Sequence, residues 1–415
     1  MIKKILITSI IIYIPNSLHF PTSLGVPGLN VFNLLYIALF YFYFTRDNNQ
    51  SDKSPLSGVL KFYYLTAIIA FVFSMSVTSH LFDNLTILKN IIIYSSLYFL
   101  IFGIVDDKDD LKYYIKVVYF VVFLMVLEII KEKLSFGLGS SKRVAGAFGQ
   151  DASSANYAGV FLAIFLPLLL KNFLYKSKVF VSPIISMGIF LLGTFALFYT
   201  YSRQAYGSLV ITSILNFAKK NKLLLTFVII LLFNSEIWLP ESVLDRIQDT
   251  QVESDTGEEK LDESTESRLV IWSEAYNNLI VNNPMGIGLN EFQDRIDPYL
   301  PEWIHARDAH SSFILILTEN GIIGFIAFLI LLYKMYSIGR MIKLKSEQEH
   351  LRMLGEGYQL VVIAVVLGNV YSSTFYSPEV MGNFWILSAL IHKYYYVAND
   401  NVNRVTDGVN KRGEA

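Results

Sequence analysis

Long apolar blocks separated by short polar stretches run the length of the chain. A hydrocarbon core of about 30 Å needs roughly 20 apolar residues of helix. The pattern predicts twelve spans, centred near residues 13, 37, 68, 95, 121, 163, 190, 211, 228, 322, 363 and 387, of which those near 37, 163, 211 and 228 are short. The opening MIKKILITSIIIYIPNSLHF has the Lys pair and apolar core of a signal peptide. Apolar sequence resumes with no small-x-small cleavage site between, so the segment reads as a retained first helix. The expected division is membrane helices over 1–236 (about nine spans), a long outer connection over 237–311, helices over 312–396 (about three spans) and a cytoplasmic tail over 397–415. Neither an internal repeat nor a soluble domain is legible.

Composition and charge sharpen this picture. Hydrophobic residues make up 53% and charged ones 17%, which excludes an ordinary soluble chain. The net charge of −1 says nothing about nucleic acid, but no basic stretch has the density of a nucleic-acid face and no such partner is expected; the lack of cysteine excludes disulfides and thiolate metal sites. Basic residues cluster in every second connection, from Lys3 and Lys4 through Lys108, Lys112 and Lys116 to Lys343, Lys345 and Arg352. Lys and Arg in short loops stay cytoplasmic, so both termini are expected inside.

Two outer segments stand apart, 131–156 and the stretch from about Trp238 to His310. Within the second, ESDTGEEKLDESTES is acidic and nearly without apolar residues, as a mobile strand of chain would be. SRLVIWSEAYNNLIVNN comes next, with Leu269, Trp272, Ala275, Tyr276 and Leu279 at helical spacing, Ser267 as a possible N-cap and Pro284 as a stop. This predicts an amphipathic helix over the outer face of the membrane region.

The candidate chemistry gathers on the same side. Arg143 precedes span six, Arg203 lies between spans seven and eight, Arg268 opens the amphipathic helix, and Arg307 with His310 closes the long connection. An arginine at the edge of a bilayer is costly unless paired, and a guanidinium suits bidentate phosphate binding. Converging arginines would suit a diphosphate on a lipid; each of Arg143, Arg268 and Arg307 is equally readable as an interfacial anchor or a partner of loop carboxylates. His310 is the candidate base, since an imidazole can accept a proton at neutral pH; the bland reading is a helix-start residue bonded to a neighbour. His305 is a second candidate, deeper in the loop.

Other motifs are weaker. NNPMGIGLNEF (282–292) lacks the third glycine of a dinucleotide fingerprint and fits turns and close backbone packing, with amides that could face an anion. DDKDD (106–110) matches a magnesium-diphosphate pattern but reads better as a solvated loop, since no second acidic cluster accompanies it. The first outer loop, NSLHFPTSLGVPGLN, holds no carboxylate, which favours a mechanism without metal or other cofactor.

RVAGAFGQDASSANYAG, YTYSRQAYGSLV, SRLVIWSEAYNNLIVNNPMGIGLNEF and DAHSSFILILTENGIIGFIAF, in that order over about 140–335, resemble the O-antigen ligase and O-antigen polymerase superfamily of bacterial inner membranes. The resemblance implies an all-α, polytopic, GT-C-like membrane protein with about twelve spans and one long periplasmic loop carrying an amphipathic helix. It implies a metal-independent inverting glycosyltransferase that passes a glycan from undecaprenyl diphosphate to an acceptor hydroxyl, with lipid A core or a growing glycan as acceptor and membrane lipids around it. The family's Ser-Arg motif falls on Arg203, the arginine of its R-x-x-x-W stretch on Arg268, and its loop-end histidine on His310. Arg143 matches a basic position before a turn that reads GAF here, and Ser311 stands where the family often has Asn. A flippase of lipid-linked oligosaccharide is the rival reading; it would be expected to show repeated halves with charged cavities in both.

Overall fold

The computed structural model describes residues 1–20, 30–46, 54–76, 80–149, 152–218, 222–234, 236, 241–248, 251–253, 259–261, 263–304 and 308–413. The chain is a helical bundle: α1 (Ile2–Tyr13), α2 (Val31–Phe44), α3 (Ser57–Ser74), α4 (Leu81–Ile104), α5 (Lys108–Phe136), α6 (Ala152–Leu174), α7 (Pro183–Tyr199), α8 (Arg203–Ala218) and α9 (Lys222–Phe233) come first. The long connection holds α10 (Glu241–Gln248), α11 (Glu263–Glu274) and α12 (Phe292–Ile296), and the chain ends with α13 (Ser312–Lys345), α14 (Glu349–Val370) and α15 (Pro378–Gly413).

Every predicted span centre falls on one of these helices. Six are long and apolar enough to cross a membrane, namely α3, α4, α5, α6, α13 and α14, with α2 and α7 as shorter apolar helices. Large apolar side chains such as Ile37, Leu65, Val72, Ile184, Leu191, Ile326 and Tyr333 face outward, where only a hydrocarbon solvent leaves them without cost. The chain is a polytopic helical membrane protein. Twelve crossings remain the expectation from hydropathy and charge.

The most enclosed helix is α6, whose Phe161, Leu162, Ile164, Phe165, Leu166, Leu168 and Leu169 are all buried. It packs against α7, α8 and α14, while α13 packs along α14 and α15 along α4 and α5.

Three sequence expectations need correction or refinement. First, the acidic stretch is not featureless: Gln251–Glu253 and Glu259–Leu261 pair as an antiparallel ribbon, a small exception to an all-α chain. Residues 254–258 between them lie outside the described set. Second, α15 runs on to Gly413, so residues after 396 continue the last helix.

Third, the amphipathic helix starts at Glu263, which puts Ser267 inside it rather than at its cap. Its buried stripe is Ile271, Ala275 and Leu279, whereas Leu269 and Tyr276 are exposed. An i, i+4 stripe chooses this face, so the expected Ala275 and Leu279 are buried with Ile271, while Leu269 falls off the stripe and Tyr276 lies in the π turn at Ala275–Ile280. The stripe closes a small second core with Phe292, Ile296, Ile304 and Ala309, against Ile314 and Leu315 of α13.

DDKDD proves structural. Asp107 caps α5 by accepting the backbone N–H groups of Asp109 and Asp110 at 2.9 and 2.8 Å. Asp110 pairs with Lys4 at 2.7 Å, Asp106 with Lys393 at 2.7 Å and Asp109 with Lys112 at 2.8 Å. Asp107→Ala is expected to cost about 1 kcal/mol, the worth of an N-cap, and Asp109→Ala less, because its pair is exposed. Denaturation of the two variants in detergent checks the order; the reverse order would remove the capping role.

Candidate functional site

The site is built where the long connection re-enters the bundle. Ser311 caps α13, its hydroxyl accepting the N–H of Ile314 at 3.4 Å. This is a use for a serine at the position directly after the candidate base. Immediately before it, His310 takes a left-handed backbone conformation (φ 48°), which a non-glycine residue adopts at a cost.

Asp308 holds that turn. Its Oδ1 accepts the backbone N–H of His310 and, at 2.8 Å, the hydroxyl of Ser373. The His310 Nδ1 lies 3.8 Å from the same oxygen. Trp272 reaches over from α11, donating its indole N–H to the carbonyl of Ala309 at 2.8 Å, with its ring 5.7 Å from that of Tyr371. Ser312 ties the helix start to the end of α14, through Asn369 Oδ1 at 2.7 Å and the carbonyl of Ser372. His310 is thus fixed by residues from three separate segments while its side chain stays 43% exposed. That combination of fixed backbone and open imidazole is what proton transfer requires.

Beside this turn opens a cavity of about 580 Å³, lined by Asp308 and Ser373, by His80, Asp83 and Asn90 of α4, by Tyr157 of α6, by Asn290, Phe292 and Asp294, and by Glu319 and Glu379. Its described lining contains five carboxylates and no arginine. Among the described residues no group of three His, Asp or Glu side chains is arranged to hold a metal ion. Carboxylates at such a wall suit sugar hydroxyls, which donate to them, and repel a diphosphate.

The arginines stand elsewhere. Arg143 donates from Nε to the carbonyl of Thr200 at 3.1 Å and from Nη2 to Asn156 Oδ1 at 2.6 Å. Asn156 directly precedes Tyr157 of the cavity wall, and Arg143 itself does not line the cavity. Arg203 is the first residue of α8, three residues after the same Thr200, past a turn in which Tyr201 has φ 51°. The end of α7 therefore brings Arg143 and Arg203 to one corner. Arg268 lies one turn before Trp272 on α11, half-buried, on the helix whose Trp272 bonds the carbonyl of Ala309 next to His310. Arg307 and His305 lie outside the described residues.

The glycine motif is a backbone clamp. The N–H groups of Ile287 and Gly288 donate to the carbonyls of Thr318 and Glu319 at 3.0 and 3.2 Å, and Ile322 N–H donates to Pro284 O at 2.9 Å. On the other side Leu289 N–H meets the carbonyl of Ala70 in α3. Three of the amides considered for an anion are thus spent on carbonyl oxygens. Gly286 (φ 94°) and Gly321 (φ 68°), where α13 is broken, let the two backbones touch. The clamp carries Asn290 and Phe292 to the cavity, and Asn290 is braced by Asn84 at 2.9 Å.

Sequence reasoning overlooked the cavity wall. Asp308 had a local signal, two residues before His310. His80, Asp83, Glu319 and Glu379 had none, because they are drawn from helices far apart in the chain.

Residues 188–329 match a protein family described as O-antigen ligase (Wzy_C). The match takes in Arg203, Arg268 and His310 and stops short of Arg143. No curated protein matches the chain.

Proposed function

We propose, for a chain whose residues 188–329 belong to the O-antigen ligase family, that it is a metal-independent inverting glycosyltransferase of the bacterial inner membrane. The donor is a glycan on undecaprenyl diphosphate, presented at the periplasmic face. The acceptor hydroxyl belongs to lipid A core in a ligase and to another repeat unit in a polymerase.

The observation that carries this reading is the fixing of His310, half-exposed, by Asp308, which lines a cavity walled by sugar-compatible carboxylates although His310 itself does not line it. In the proposed step the acceptor oxygen attacks the anomeric carbon from the face opposite the diphosphate. The bond from that carbon to the diphosphate oxygen breaks, and its electron pair leaves on that oxygen. The hydroxyl proton goes to His310, and the Asp308 carboxylate 3.8 Å away faces the positive charge that forms there. Guanidinium groups neutralise the leaving diphosphate, a task assigned to Arg203 and Arg143, which the end of α7 brings to one corner. Arg268 and Arg307 are assigned the same role from the loop side. Charge segregation supports this division: hydroxyls on the carboxylate side, phosphates on the arginine side.

Purified protein in EDTA, given a lipid-diphosphate repeat unit, is expected to transfer it, and Arg203→Ala to lose about 10²-fold or more, as when a transition-state charge partner is removed. A product ladder from donor alone identifies a polymerase, and product only with core lipid a ligase. Glycolipid crossing the bilayer of vesicles, with no transfer by wild type, would replace the enzyme with a flippase.

A further inference from the structure

At the other end of the bundle a second, unrelated site is built. α6 runs about 22 Å, at 1.5 Å per residue, from Asn156 beside Arg143 to Lys171, so the two ends lie far apart. There Lys171 and Lys343 share one carboxylate: each Nζ lies 2.9 Å from an oxygen of Glu356. Lys171 and Glu356 are about nine-tenths buried, and Lys343 is 29% exposed. α13 and α14 approach closely at this level, since a Cβ on Gly355 would lie 2.5 Å from Lys343 N. The Tyr175 hydroxyl also bonds to Glu356, and Arg352 and Glu349 act on that tyrosine with opposite sign. One buried and one partly exposed lysine against one buried carboxylate leave an excess positive charge within this cluster.

A cavity of about 100 Å³ opens onto this cluster. Its lining combines the charged Lys171, Lys343 and Glu356 with the polar Gln359, with Tyr336 and with the apolar Leu215, Leu360 and Ile363. Asn216 of α8, 1% exposed, belongs to the same lining. Neither its amide nitrogen nor its amide oxygen has a hydrogen-bond partner among the described residues. A buried amide left unsatisfied is costly, so its retention at a cavity wall argues for a ligand that completes it.

We propose that this cavity binds the head-group phosphate of an anionic phospholipid, with Lys171 and Lys343 countering its charge, the Asn216 amide donating to a phosphate oxygen and the acyl chain leaving along Leu215, Leu360 and Ile363. Charge complementarity selects an anion, the donors select phosphate oxygens, and the apolar exit selects a lipid over a free ion. The site lies among the Lys-rich segments that the positive-inside pattern assigns to the cytoplasmic leaflet. It stands whether or not the glycosyltransferase reading does.

The full chain, stripped of lipid in a neutral detergent, is titrated with phosphatidylglycerol, phosphatidylcholine or inorganic phosphate while thermal unfolding is followed. Phosphatidylglycerol is expected to raise Tm in a saturable way, since a ligand that binds only the folded state stabilises it by mass action; the other two are expected to do nothing. In Asn216→Leu, the lipid-free Tm is expected to hold or rise, because an unsatisfied amide is gone, while the half-saturating lipid concentration rises about tenfold or more. Lys343→Met is expected to weaken the lipid response similarly; if it does not fold, Asn216→Leu alone decides. Equal protection by phosphatidylcholine, protection by inorganic phosphate alone, or an unchanged titration in Asn216→Leu would each overturn the proposal.

Discussion

Alanine at His310 is expected to slow glycan transfer by about 10²–10⁴-fold, the usual worth of a positioned general base, without lowering stability. Glycine at the same position is expected to be as slow and yet more stable than wild type by about 1 kcal/mol, because φ 48° is a left-handed conformation that costs an L-residue about that much and glycine nothing. The two substitutions separate roles that a single one confuses. If His310 only shaped the turn, glycine would preserve transfer, since the Asp308 carboxylate would still take the backbone N–H of residue 310 and the hydroxyl of Ser373. Transfer rate and detergent Tm of both variants, side by side, are the measurement. A glycine variant near wild-type rate would sink the base.

Asp308 sits one step behind this chemistry. Asp308→Asn keeps an acceptor for Ser373 but removes the charge facing the imidazole at 3.8 Å. It therefore belongs to the positioning of His310 rather than to the reacting atoms.

Much of this was readable in the residues alone, for a physical reason. Membrane helices announce themselves one at a time, since each must satisfy its own backbone and present apolar side chains over a fixed length. The twelve hydropathy maxima accordingly land on helices even where α2, α8 and α9 are short. DDKDD could be set aside because no second acidic cluster accompanies it; its helix cap is local, but its pairs with Lys4 and Lys393 form only when distant helices meet. The face of α11 was read in part: Ala275 and Leu279 are buried as the spacing predicts, whereas Ile271 joins them and Leu269 and Tyr276 are exposed, and the π turn that follows cannot be seen in spacing. The cavity wall was illegible for a different reason. His80, Glu319 and Glu379 meet only after α4, α13 and α15 have packed, and nothing near any of them in the chain foretells that meeting. Asn216 was missed because a lone amide in an apolar helix is unremarkable until its neighbours prove to be two lysines and a carboxylate.

The clamp that delivers the long connection to the bundle should be the most fragile part of the fold. Gly321→Ala is expected to cost about 3 kcal/mol or more and to lower transfer, although no reacting group is touched. A Cβ there would lie 2.3 Å from the carbonyl carbon of Met285 and 2.6 Å from the backbone nitrogen of Gly286. Both obstacles are main chain, so no rotamer relieves them. Overpacking of this kind costs about 1–3 kcal/mol, and φ 68° adds about 1–2 kcal/mol for any residue with a side chain. The clamp can escape only by separating, which breaks the bonds from Ile287 and Gly288 to Thr318 and Glu319 and frees Asn290 and Phe292 from the cavity wall. Gly286→Ala meets the same surface from the other side, 2.4 Å from the carbonyl oxygen of Glu319, and is expected to behave alike. Gly58→Ala is the control: nothing lies within 4 Å of its would-be Cβ, it is helical, and alanine there is expected to be neutral or slightly stabilising. Limited proteolysis within 284–304, read together with Tm and transfer rate, distinguishes a released clamp from global unfolding. Protection of that segment in Gly321→Ala at wild-type Tm would mean that the two backbones do not touch as described.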